Sequence, residues 1–147
     1  MTNQRRDNTI KNIFCNLNEM FHFNFDAYPD NNDFNGLEVE WKERNYVNLI
    51  NKKEIGQWVK KGYEESKKNR LVVMLISAAT DSGYWHDYIM NSFEIWFIRG
   101  RLKDEKGKGI TPFPSVIVVL DEQSKQKQMR RFPGEGFPRV MSVQFEE

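Results

Sequence analysis

Two uninterrupted apolar runs constrain this chain most: LVVMLI at residues 71–76 and SVIVVL at residues 115–120. Both have strand length and are rich in Val and Ile. Apart from Ser115 at the start of the second, both are apolar at every position, which leaves no polar face for water, so each is expected as a strand covered on both sides. A third run, FEIWFI at 93–98, lies between them, preceded by a polar loop at 77–83 and a short aromatic segment at 84–90. The close succession of 93–101 and 115–120, across KGKG at 106–109, predicts an antiparallel pair at one edge of the sheet.

The remaining chain supplies helices to cover those strands. Residues 1–8 are polar and expected to fray. After Asn8 or Thr9 as N-cap, Ile10, Ile13, Phe14, Leu17 and Met20 or Phe21 recur at helical spacing. The segment FNFDA at 23–27 alternates like a short strand and ends in turn chemistry at 28–33. Residues 34–41 suit a short strand or an irregular crossing, and residues 46–50 suit a strand. Next comes an amphipathic helix, with Ile55, Trp58, Val59, Gly62 and Tyr63 on one face and Lys60, Lys61, Glu64, Glu65, Lys67 and Lys68 on the other. Asn69 stops it. Strands alternating with helices predict an α/β sheet, mostly parallel, in a single domain spanning residues 1–147, with residues 121–147 as a basic C-terminal extension. Within that extension, residues 139–145 alternate like an edge strand.

Composition excludes several roles. With 22 basic and 21 acidic residues there is no global attraction to nucleic acid or membrane, so any such role needs a local patch. The single cysteine, Cys15, fits a reducing compartment and reads as an inert packing residue of the first helix. No apolar run approaches membrane-spanning length and the N-terminus carries no signal-peptide core, so a soluble cytoplasmic protein is expected. His22 and His86 lack partners at metal-ligand spacing, and no metal site is expected. His86, beside Asp87, reads as an acid–base group or as a polar helix residue.

Three places carry the remaining chemistry. Asp26 ends the first strand, where α/β sheets bind cofactors, and its carboxylate suits ribose hydroxyls or an amine; it equally suits capping a turn. Asn48 ends the second strand and is similarly placed. Arg99 and Arg101 flank Gly100 after the third apolar run, arranged to grip phosphates or base edges or to stand as a solvated pair. The tail adds Lys125, Lys127, Arg130 and Arg131 without an intervening acid.

A series of collinear segments, EIGQWVKK at 54–61, VVMLI at 72–76, TDS at 80–82, YWHDYI at 84–89, FIRGRL at 97–102 and PFPS at 112–115, resembles the phage-type DNA N6-adenine methyltransferase family. The resemblance implies a Rossmann-like methyltransferase sheet, S-adenosylmethionine as cofactor, DNA as partner and a phage gene expressed in a bacterial cytoplasm. It links Asp26, with Phe25 and Ala27 beside it, to cofactor binding. The resemblance spans residues 10–120, so DNA contact through Arg99, Arg101 and the basic stretch 125–131 is an expectation from their charge.

The family pattern also places a catalytic Asn-Pro-Pro-Tyr-like tetrapeptide at Asn48, Leu49, Ile50 and Asn51. There the Asn side chain and a proline-fixed carbonyl accept hydrogen bonds from the adenine amino group, while the aromatic ring stacks on the flipped base. Only the Asn is present here. Ser77-Ala78-Ala79 stands where the family carries Pro-Ala-Arg, and Asp104 stands where an aromatic follows Gly-Arg-Leu. Two readings follow. The first is a degenerate relative, non-catalytic or weakly active, that acts by binding DNA or a protein. The alternative is an active adenine-N6 methyltransferase with a divergent loop.

Overall fold

The computed structural model describes residues 8–31, 33–91, 94–104, 106, 108–122, 128–132 and 143–144. In chain order these form α1 (Ile10–Phe21), β1 (Phe25–Asp26), β2 (Arg44–Asn48), α2 (Ile55–Ser66), β3 (Leu71–Ser77), α3 (Gly83–Asp87), a 3-10 turn (Ile89–Asn91), β4 (Glu94–Ile98), β5 (Ser115–Asp121), β6 (Gln128–Phe132) and β7 (Val143–Gln144). The helix–strand alternation expected from the sequence is present. Residues 34–41 form the irregular crossing, pinned where the buried Trp41 donates its indole N–H to the Gly36 carbonyl at 2.8 Å.

The strands form one sheet in the order β1-β2-β3-β5-β4-β6-β7. β1, β2 and β3 run parallel, β5 lies antiparallel to both β3 and β4, β6 runs parallel to β4, and β7 runs antiparallel to β6. Most strands therefore share one direction. The antiparallel pair expected at an edge forms between β4 and β5, but in the sheet interior, because β5 inserts between β3 and β4 and the tail strands extend the sheet beyond β4. Two-sided burial dictates an apolar run without encoding the direction of its neighbours.

β3 shows why its sequence is apolar throughout. Successive side chains of a strand face opposite ways. Val72, Met74 and Ile76 enter one core with Trp58 and Val59 of α2 and Trp85 of α3, while Leu71, Val73 and Leu75 enter the other with Ile13 and Leu17 of α1. Each such side chain, once buried, contributes about 1.5–3 kcal/mol. The result is three layers, with α1 on one face of the sheet and α2 and α3 on the other. Gly62 lets α2 lie close against the sheet, since a Cβ there would stand 2.4 Å from the Met74 methyl and 3.3 Å from a Val72 methyl.

Four local expectations need correction. Glu65, assigned to the solvated face of α2, is buried and pairs with Lys61 at 3.0 Å, with Lys68 at 3.4 Å and with Arg70. Arg70 follows the helix, so helical periodicity does not reveal the pairing. Cys15 is exposed on α1 rather than packed. Asn8, expected to fray, is buried and donates its side-chain amide to the carbonyls of Arg99 at 2.8 Å and Arg101 at 3.2 Å. The basic extension is not an appendage throughout, because β6 places Arg130 and Arg131 in register with Trp96 and Phe97. Lys125 and Lys127 lie outside the described residues.

Candidate ligand cleft at the carboxyl ends of the parallel strands

β1 and β2 end side by side, with Phe25 opposite Asn45 and Asp26 opposite Tyr46. Outside their carboxyl ends a cleft of about 730 Å³ opens, lined among others by Asp26, Tyr28, Asp30, Asn48 and Asn51. The first turns of α1 close it with Ile10, Lys11 and Phe14. That volume lies within the range of small-molecule and cofactor sites, roughly 300–1,000 Å³.

Asp26 and Asn48, singled out separately because each ends a strand, thus meet in one cavity. Phe25 and Ala27 do not join them. Phe25 packs toward Phe34 and Trp41, and Ala27 is buried in the core beside α2, as strand alternation requires when Asp26 faces the other way. Asp26 holds its own turn, its Oδ1 accepting the Tyr28 N–H at 3.1 Å. Asp26 is exposed at its strand end, yet partial desolvation by its neighbours raises its carboxyl above the ordinary value; the Tyr28 N–H opposes this, Asp30 adds to it and Lys52 counters. Asp26 is therefore a turn cap that also lines the cleft.

The segment after β2 is built differently from a proline-fixed loop. The Ile50 N–H donates to the Asn48 side-chain oxygen at 2.9 Å, and the Lys52 N–H donates to the Leu49 carbonyl at 3.3 Å. Leu49 is 1% exposed and enters the α2-side core, whereas Ile50 is 3% exposed and enters the α1-side core. Burial on both faces of the sheet takes over the rigidity that prolines would supply. Asn51 turns the chain in the left-handed region at φ 59° and stands exposed.

Several cleft residues escaped the sequence reading. Tyr28 has a ring face under the Lys52 ammonium at 4.8 Å and stacks on Trp58 at 4.6 Å between centroids. It also borders a smaller cleft of about 360 Å³ lined by Asn35, Glu54 and Trp58. Tyr46 is buried, and its hydroxyl has no hydrogen-bond partner among the described residues. Its place two positions before Asn48 puts it on the same strand face, but nothing local in the sequence marks its hydroxyl as unpartnered.

Arg99 and Arg101 do not enter the cleft. They stand exposed after β4, which runs the same way as β2, so they occupy the same edge of the sheet. Three strand spacings separate β4 from β2, roughly 14 Å. Their neighbours Lys103, Lys106 and Lys108 are also exposed, which makes a basic rim that the sequence reading limited to the arginines. Asp104 shapes this rim by accepting the N–H groups of Lys106 and Lys108, both at 2.9 Å. His86 is turned to structural use, with Nε2 2.8 Å from the Thr80 carbonyl.

Among the described residues no group of His, Cys, Asp and Glu gathers to hold a metal ion, and no helix is long and apolar enough to cross a membrane. No family model, curated protein or solved structure matches this chain.

Proposed function

We propose that this chain is a degenerate relative of the phage-type DNA N6-adenine methyltransferases, one that binds a nucleoside-type cofactor and DNA without efficient methyl transfer. One observation carries the reading: the cleft brings Asp26 and Asn48 together, while both acceptors required for adenine chemistry are engaged in the turn itself. The Asn48 side-chain oxygen takes the Ile50 N–H and the Leu49 carbonyl takes the Lys52 N–H. An incoming amino group would compete with these bonds, and Asn51 offers no ring on which a flipped base could stack.

The cleft suits S-adenosylmethionine in volume and in donor set. Asp26 would accept from ribose hydroxyls, the wall of Ile10, Phe14 and Ile50 would cover apolar surface, and Asp30 would face a cationic group. When bound, that cofactor supplies an electrophilic methyl group. The chain's own residues position the ligand. The basic rim from Arg99 to Lys108 supplies phosphate contacts on the same edge of the sheet, and this favours DNA over a protein partner.

The retained Asn48 favours a second reading, an active methyltransferase, because a carbonyl oxygen has two lone pairs and one is open to a substrate. Two measurements separate the readings. Calorimetric titration with S-adenosylmethionine is expected to give binding that Asp26→Ala abolishes, and absence of heat for the wild type refutes the cofactor assignment. Incubation with labelled cofactor and adenine-containing DNA is expected to give no transfer above Asn48→Ala. Transfer well above that control establishes the enzyme reading instead.

A further inference from the structure

Tyr46 occupies the middle of β2 with 3% exposure. Phe14 meets its ring edge-on at 4.9 Å between centroids and Phe23 packs against it at 5.3 Å. For these contacts a phenylalanine would serve as well. The hydroxyl is the anomaly, because it is buried without a hydrogen-bond partner among the described residues, and such groups are rare in folded proteins. Tyr46 also lines the cleft together with Asp26 and Asp30. Burial, and then the negative charges of Asp26 and Asp30, push its pKa up, so the phenol keeps its proton and can donate.

The neighbours narrow the ligand group this hydroxyl would meet. The cleft also holds Lys11 and Lys52, but the charges that act on the Tyr46 hydroxyl are those of Asp26 and Asp30, which disfavour an anionic group at that point. An ammonium carries no lone pair to accept the phenol proton. A ligand hydroxyl satisfies both sides, accepting from Tyr46 while donating to the Asp26 carboxylate.

We propose that Tyr46 is a ligand-recognition residue of this cleft, selecting a sugar hydroxyl in partnership with Asp26. The inference rests on the nucleoside-binding reading above and adds to it the residue that distinguishes ribose from deoxyribose.

The test titrates adenosine, 2′-deoxyadenosine and 3′-deoxyadenosine into wild type and Tyr46→Phe, followed by NMR so that weak affinities are read, with a thermal melt of each protein. Wild type should prefer adenosine to at least one of the deoxynucleosides. Tyr46→Phe should bind adenosine about five- to tenfold more weakly, the worth of one hydrogen bond. It should also lose that preference and melt at or above the wild-type temperature. If wild type binds adenosine and the variant binds it equally well, the Tyr46 role is wrong and the cleft reading stands. A uniform loss for all three nucleosides together with a lower melting temperature marks Tyr46 as structural and overturns the proposal. If wild type binds none of them, the nucleoside reading fails and the Tyr46 role fails with it.

Discussion

The backbone N–H of Ile50 donates to the side-chain oxygen of Asn48 at 2.9 Å, closing a turn on a residue that lines the cleft. The next link ties this turn to the sheet, since the Leu49 N–H donates to the Leu75 carbonyl at 2.8 Å. Both donors belong to positions where the resembling family carries proline. Installing that family's tetrapeptide through Leu49→Pro, Ile50→Pro and Asn51→Tyr should therefore unfold the protein. It removes two hydrogen bonds and two buried side chains, a loss expected to exceed about 3 kcal/mol. Asn51→Tyr alone, strained by its positive φ, should cost about 1 kcal/mol. Urea denaturation measures both, and a triple variant as stable as wild type would show that the loop takes a different path.

That turn also shows what the sequence could and could not disclose. Asp26 and Asn48 were legible because a polar residue at a strand end is conspicuous in sequence. Tyr46 and Lys52 were not, because what distinguishes them is proximity to Asp26 and Tyr28, more than fifteen residues earlier in the chain. The apolar runs announced β3 and β5, yet nothing in them encodes that β5 lies between β3 and β4. Asn8 read as part of a frayed end because its partners, Arg99 and Arg101, are more than ninety residues away. Local pattern specifies elements and their faces, whereas pairing order and long-range polar contacts emerge only in the assembled sheet.

Gly62 gives a prediction about packing. A methyl added there would stand 2.4 Å from the Met74 methyl, the end of a flexible but fully buried side chain, and 3.3 Å from a Val72 methyl. Overpacking of this kind costs about 1–3 kcal/mol, partly offset by the roughly 1 kcal/mol that alanine gains over glycine within a helix. Gly62→Ala should be destabilised by about 1 kcal/mol in thermal or urea unfolding. In a Met74→Ala background the added methyl occupies vacated space, so the double variant should lose less than the sum of the two single changes.

Glu65 makes stability depend on acid. Burial works to raise its carboxyl, but hydrogen bonds from Lys61 and Arg70, with the charges of Lys61 and Lys68, prevail and hold it below its ordinary 4.5. A carboxyl depressed on folding contributes stability that is present above the unfolded-state pKa and lost as pH falls through the folded value. Glu65→Gln should cost about 1–2 kcal/mol at neutral pH, since it weakens hydrogen bonds to charged groups. The gap between variant and wild type should narrow as pH drops below about 4.5. Denaturation midpoints measured across that range check the sign, and a gap independent of pH would assign the loss to packing.

The basic rim separates charge from position. Arg99 and Arg101 carry the charge, while Asn8 holds their backbone through two hydrogen bonds that span Gly100, whose φ of 89° turns the chain between them. If the rim contacts phosphates, replacing both arginines with alanine should weaken binding to duplex DNA and lower the slope of log affinity against log salt by about 1.8, at about 0.9 per phosphate contact. Asn8→Ala removes no charge. It should lower stability by about 1–2 kcal/mol for the two lost bonds and weaken DNA binding while leaving most of the salt slope intact, because the guanidiniums remain but no longer share a fixed backbone. Fluorescence anisotropy at several salt concentrations reads both quantities, and identical DNA affinity for wild type and the double-arginine variant would remove the rim from the proposed interface.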